Sequence, residues 1–336
     1  MGKRIISLAT ASFLTIGAIT GCGAAKSNNN VVSTGIDASN NGPSKSSDLK
    51  QIEITNVSYD PTRELYQAYN ELFQTHWLEE TGQEVTVVQS HGGSGKQALE
   101  VANGLEADVV TLALEGDVDT IVDADLIEDG YVSEFSLDSS PYTSTIVFLV
   151  RKGNPKNIQD WDDLLKEDVG VITPNPKTSG GARWNYLAAW YYFEKQGQSE
   201  EQIVASMKSL YSNVRVLDSG ARGSTTTFTE NGQGDVLIAW ENEAFLSVKE
   251  SPDEYEIVVP SFSILCQPTV AIVDEVVDNR KTRNVATEYL NFLYSDEAQK
   301  LEAENYYRPS NEDILTDYVT KSDSNVITEI PSDGKW

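Results

Sequence analysis

The chain reads as an α/β protein of two domains, each a mostly parallel sheet flanked by helices. Three observations carry that reading. Short apolar, strand-like runs alternate with segments of helical period along most of the length. Four times over, a turn bearing glycine or proline joins the end of a strand to the start of a helix. The most apolar runs, residues 107–113 and 144–150, are continuous rather than alternating, as strands covered on both faces are. A length of 336 residues is enough for two cores.

Taken in order, residues 51–58 alternate and run into Tyr59-Asp60-Pro61. Asp60 there suits a helix cap and Pro61 the first helical position, with a helical pattern to Trp77. A second strand, 84–89, ends in Ser90-His-Gly-Gly-Ser-Gly-Lys96, a glycine-rich turn feeding a helix at 97–104. The strand 107–113 follows, then the strand 144–150 and the turn cluster Arg151-Lys-Gly-Asn-Pro155, where the chain is expected to cross into its second domain. There the pattern gives a helix at 161–166, a strand at 169–172 and the turn Thr173-Pro-Asn-Pro-Lys-Thr-Ser-Gly-Gly181, which opens a helix at about 182–194. A helix at 200–210 and a strand at 213–217 lead to the turn Asp218-Ser-Gly-Ala-Arg-Gly-Ser224. Residues 235–243 form a strand that ends on Trp240, and the apolar run 262–273 is strand-like. Helices at 281–294 and 296–305 return to the first domain. The expected division is a signal at 1–21, a tether at 22–49, domain I at 50–150 plus 263–336, and domain II at 151–262.

The amino terminus sets the compartment. Lys3 and Arg4 precede an uncharged run, 5–19, and then Thr20-Gly21-Cys22, the regions of a secretory signal. The run is shorter than the roughly 20 residues a spanning helix needs. The Ile-Thr-Gly-Cys ending resembles a bacterial lipoprotein signal, which implies lipidation of Cys22 and an extracytoplasmic protein held at the membrane. Residues 23–48, rich in Ser, Asn, Gly and Ala, cannot bury enough apolar surface to fold and read as a flexible tether. The other cysteine, Cys266, is expected as a buried free thiol, with no disulfide and no metal site built on paired cysteines.

With 25 basic and 52 acidic residues the net charge is −27, which argues against nucleic-acid partners. Short motifs exclude more. Gly92-Gly-Ser-Gly-Lys96 lacks the spacing of a phosphate loop, and Lys96 stands where a nucleophile elbow needs glycine. The two histidines, His76 and His91, suit packing and loop fixing better than base catalysis.

What the turns share is an electrostatic character. A helix start leaves backbone N–H groups without partners inside the helix, and the peptide dipoles add positive potential there. Glycine lets a ligand approach such a start closely. Ser179 before Gly180 and Gly181 is by itself an ordinary cap, and Trp240 is equally suited to a core. Four such turns at the carboxyl ends of strands, two in each half, place an anion site in a cleft between the domains.

The stretches carrying these turns also carry a resemblance. Asn-Val-Ser-Tyr-Asp-Pro-Thr-Arg-Glu-Leu at 56–65, Ser-His-Gly-Gly-Ser-Gly-Lys-Gln at 90–97, Thr-Pro-Asn-Pro-Lys-Thr-Ser-Gly-Gly-Ala-Arg-Trp at 173–184, Asp-Ser-Gly-Ala-Arg-Gly-Ser at 218–224 and Gly-Asp-Val-Leu-Ile-Ala-Trp-Glu-Asn-Glu at 234–243 resemble the sulfate-binding proteins of bacterial sulfate and thiosulfate ABC importers. The likeness covers roughly 51–336. It implies a two-domain, type II periplasmic-binding-protein fold, a monomer that is not an enzyme, no cofactor, and delivery of a sulfate dianion to a membrane permease. It further implies that sulfate is held by the backbone N–H groups of Asp60, Ser94, Gly180, Gly181 and Ala221, the hydroxyl of Ser179 and the indole N–H of Trp240. His91, Lys96, Arg183 and Arg222 would stand behind the ligand and hold loops. Thiosulfate, molybdate and tungstate are alternatives within this class. A secreted hydrolase of sulfate or phosphate esters is the alternative outside it, and an anchored adhesion protein would explain the tether and charge but not the turns.

Overall fold

The computed structural model describes residues 51–321. The expected signal, the tether and Cys22 lie outside the described residues. Two sheets organise what is described. The first has the order β10-β3-β1-β2, from β1 (Ile52–Tyr59), β2 (Val85–Gly92), β3 (Val109–Leu112) and β10 (Thr269–Ile272). β1 lies parallel to β2 and β3, and β10 closes the edge antiparallel to β3. The second sheet has the order β7-β6-β8-β5-β9, from β5 (Ile146–Arg151), β6 (Val171–Ile172), β7 (Val214–Val216), β8 (Val236–Trp240) and β9 (Tyr255–Val258). A two-stranded ribbon, β4 (Tyr142–Thr143) with β11 (Arg308–Pro309), stands apart from both.

Strand alternation decides which core each residue joins. In the first sheet Ile54, Val109 and Val270 face Tyr66, Phe73 and Tyr289, whereas Val57, Val110 and Ala271 face Ala98, Val101 and Ile121 on the other side. The second sheet repeats the plan, with Phe148 and Ile238 against Trp161 and Phe193, and Leu149 and Leu237 against Phe228 and Tyr255. Both faces of each sheet are covered, so the strands read as continuous apolar runs. Each fully buried large side chain contributes about 1.5–3 kcal/mol.

The structure differs from the expected crossing at 151–155. β5 lies inside the second sheet, antiparallel to both β8 and β9, with Phe148 opposite Ile238 and Val258. The chain therefore crosses before β5, so residues 146–150 group with the second sheet rather than the first. A continuous apolar run states that a strand is buried but not which neighbours it pairs with. The return passes alongside: Ser144 and Cys266 exchange backbone hydrogen bonds of 2.9 and 2.8 Å, and the Thr145 hydroxyl donates to Ser263 Oγ at 2.8 Å. Pro268 interrupts the run 262–273, leaving strand only at 269–272, and Cys266 is a buried free thiol.

Candidate functional site

Asp60 is the first residue of a 3-10 turn, Asp60–Thr62, ahead of the helix Arg63–Thr81, and its side chain is not the expected helix cap there. Ser94 opens the helix Ser94–Ala102, Gly180 and Gly181 open Gly180–Lys195, and Ala221 opens Ala221–Thr229. These positions follow β1, β2, β6 and β7, which pair in parallel, β1 with β2 and β6 with β7. First-turn N–H groups have no partner inside their helix, so each start aims donors and a positive dipole end outward.

The starts converge. A Cβ placed on Gly93 would lie 2.6 Å from the carbonyl oxygens of both Thr178 and Ser219, and the Lys96 N–H donates to Thr178 O at 3.3 Å. The Asp60 carboxylate is pressed so closely on Gly220 that a Cβ there would sit 1.8 Å from its Oδ2. A Cβ on Gly181 would lie 3.0 Å from Trp240 Nε1. Gly181, Ala221 and Trp240 line one small cavity of about 10 Å³. The two lobes thus meet, closed, over the predicted residues.

Each side chain has a definable role. Ser179 Oγ accepts from the Ala182 N–H at 3.3 Å, which leaves its own proton to donate. The Ser94 hydroxyl donates to Asp117 Oδ2 at 2.5 Å and accepts from the Ala113 N–H at 2.9 Å, so the donor Ser94 can still offer is its backbone N–H. Trp240 is 1% exposed, packs its ring on Tyr59 with centroids 5.2 Å apart, and has no acceptor among the described residues for its indole Nε1–H. A buried donor without a partner marks a place where something else accepts.

The charged groups pair with one another. Arg183 forms an ion pair with the buried Asp117 and donates from Nε to Pro176 O at 3.0 Å, tying the 173–181 turn to the opposite lobe. Arg222 reaches Glu64 at 2.6 Å across the cleft and Glu243 at 3.0 Å on its own side. Burial pushes the Asp60 carboxyl up, against the pull of Arg63, Arg222 and Lys96 and of a backbone N–H bond from Arg222. Burial likewise raises Glu243, with Arg222 opposing it. His91, bonded to Ser58 Oγ at 2.8 Å, is pushed down to about 4 by burial and is neutral at pH 7. Lys96 departs from expectation. Its side chain is 60% exposed and, among the described residues, forms an ion pair with Glu100 alone, at 3.4 Å, so its backbone rather than its side chain holds the facing loop.

With the guanidiniums matched by carboxylates, what the cleft offers a ligand is a set of neutral donors. Sequence reasoning missed Asp117, Glu64 and Glu243 as the partners of those arginines, and also Trp184, whose indole donates to Ala113 O at 2.6 Å. No local signal names a partner 66 or 158 residues away.

The model of a family of bacterial extracellular solute-binding proteins matches residues 54–308. The chain belongs to this family. It is 58% identical over 271 residues to the sulfate-binding protein of Salmonella typhimurium, covering 80% of this chain and 82% of that one. To the thiosulfate-binding protein of Pseudomonas aeruginosa it is 45% identical, over 80% and 81% of the two chains. Among solved structures it is similar to the sulfate-binding protein SubI from Mycobacterium tuberculosis, with a TM-score of 0.72 and 31% identity over 80% of this chain and 91% of that one. The two-sheet α/β architecture is that of a two-domain solute-binding protein, closed over its cleft.

Proposed function

We propose that this solute-binding protein captures a sulfate dianion in the cleft and hands it to the membrane permease of an ABC importer. The observation that carries the reading is the orphaned indole N–H of Trp240, buried beside Gly181 where three helix starts and the Asp60 turn converge. The names of the relatives, sulfate- and thiosulfate-binding, support it. Five backbone N–H groups, at Asp60, Ser94, Gly180, Gly181 and Ala221, join the Ser179 hydroxyl and the Trp240 indole around one anion. Asp60 and Ser94 belong to one lobe and the rest to the other, so a ligand held by both favours the closed form. The reading is of a binding protein rather than an enzyme, and a hydrolase finds no support among the relatives. It includes a monomer tethered outside the cytoplasm through Cys22.

A site made of donors suits an anion that carries no proton. Phosphate at neutral pH brings a hydroxyl with no acceptor to meet it, at a cost of about 1–3 kcal/mol. Calorimetry with sulfate, thiosulfate and phosphate tests this. Sulfate is expected to bind about 5- to 150-fold more tightly than phosphate, and equal affinities would overturn the reading. Thiosulfate, favoured by the second relative, is measured in the same series.

A further inference from the structure

Three consecutive residues, the last of β8 and the first two of the helix Glu241–Glu250 that follows it, each reach a different part of the opposite lobe or of the crossing. Trp240 packs on Tyr59. Glu241 accepts two bonds from Arg308, Nε to Oε2 at 2.7 Å and Nη2 to Oε1 at 2.8 Å, and its backbone N–H donates to Thr145 O at 3.0 Å in the crossing segment. Asn242, fully buried, donates both protons of its amide, to Pro61 O at 3.1 Å and to the Tyr307 hydroxyl at 3.0 Å.

Pro61 directly follows Asp60, and Trp240 stands two residues before Asn242. The amide therefore connects two ligand donors that belong to different lobes and are 180 positions apart in the chain. Contacts across the junction, the packing of Trp240 on Tyr59 and the amide bond of Asn242 to Pro61, rather than chain connectivity, set the separation of the Asp60 N–H and the Trp240 indole N–H. Asn242 is fully buried and both of its amide protons are taken by protein acceptors, so it acts without donating to the ligand. Its neighbour adds rigidity, because the buried fork of Arg308 on Glu241 is costly to break.

We propose that Asn242 is a positioning residue for the anion: by bridging the Pro61 carbonyl and the Tyr307 hydroxyl it fixes the Asp60 turn against Trp240, so that donors from both lobes meet one ligand. This rests on the sulfate reading above. Binding groups need to be held within about 0.5 Å of their working geometry. When the lobes part, water replaces the amide at the Pro61 carbonyl, so loss of the bond is felt mainly in the closed, liganded form. The consequence is a residue whose removal lowers affinity more than it lowers the stability of the free protein.

The experiment compares wild type, Asn242→Ala, Tyr307→Phe and the double variant, each by calorimetric titration with sodium sulfate and by thermal melting without ligand. Asn242→Ala is expected to weaken sulfate about tenfold, the scale of one buried hydrogen bond, while the ligand-free melting temperature stays within about 3 °C of wild type. Tyr307→Phe removes the hydroxyl that accepts from the amide, so the double variant loses that bond only once and its loss of affinity is expected to fall short of the sum of the two single losses. Unchanged affinity in Asn242→Ala, a melting-temperature loss matching the affinity loss, or additive losses in the double variant would each overturn the inference while wild-type binding stands. A wild type that binds neither sulfate nor thiosulfate overturns the functional reading and this inference together.

Discussion

Closure can be blocked at one atom. Gly93 adopts φ −60° and ψ 129°, a conformation alanine shares, so Gly93→Ala leaves the first lobe unstrained. In the closed form the new methyl would sit 2.6 Å from two backbone oxygens, Thr178 O and Ser219 O, about 0.8 Å inside van der Waals contact. Neither oxygen can rotate away, so the lobes stop short. In the proposed division, a cleft that cannot close loses the Asp60 and Ser94 N–H groups. Hydrogen bonds to a charged group contribute roughly 1.5–3 kcal/mol each, so together these amount to roughly 3–6 kcal/mol, about 10²–10⁴ in Kd. Calorimetry with sulfate reads the loss, melting of the free protein checks that the lobe is intact, and small-angle scattering follows compaction on adding ligand. Wild-type affinity in a folded Gly93→Ala protein would refute both the contact and the closure it serves.

Trp240→Phe keeps a ring against Tyr59 but removes the orphan donor, and should weaken sulfate by roughly 1.5–3 kcal/mol, about 10- to 150-fold, in the same titration. An effect below twofold would return the indole to the core. His91 gives a pH signature. Its folded value, about 4, lies below the ordinary value near 6.5, so between those values the unfolded chain binds the proton and the native one does not. Its contribution is complete above about pH 6.5 and is lost as pH falls towards 4, by roughly 2 kcal/mol at pH 4.5. His91→Gln should flatten that part of the denaturation profile. Asp60, Glu243 and Glu302, raised by burial, titrate with the opposite sign, so the difference between variant and wild-type curves is the quantity to compare. A difference curve independent of pH would remove His91 from the account.

Local physics made some parts of this molecule legible and long-range pairing hid others. The glycine turns at 90–96, 173–181 and 218–224 declare themselves because caps, glycines and strand ends act within a few residues, and each is followed by a helix. The sheet that takes β5 is not declared, since Phe148 is equally buried beside any strand that offers Ile238 and Val258 as neighbours. The Asp60 carboxylate misled for a related reason. An Asp-Pro pair suits a local cap, yet the side chain turns to Gly220 and the backbone of Arg222 in the other lobe. Lys96 shows the converse, because a cation beside a glycine turn invites a role for its ammonium that the exposed geometry gives to its amide.

The ion pairs across the cleft have a direction. Both guanidiniums, Arg183 and Arg222, come from the second lobe, and their partners Asp117 and Glu64 from the first. Open, the second lobe bares Arg183 without its carboxylate, and Arg222 with Glu243 alone left beside it, next to the amides of Gly180, Gly181 and Ala221, a spot less negative than the rest of a chain whose net charge is −27. Attraction of this kind speeds encounter and fades with ionic strength. Closed, the same guanidiniums are quenched by carboxylates and the anion is left with dipoles alone. Added salt should accordingly slow sulfate association in stopped-flow measurements and leave dissociation nearly untouched; equal sensitivity of both rates would contradict it. In the proposed division, the arginines then govern how fast the anion arrives, and the amides how long it stays.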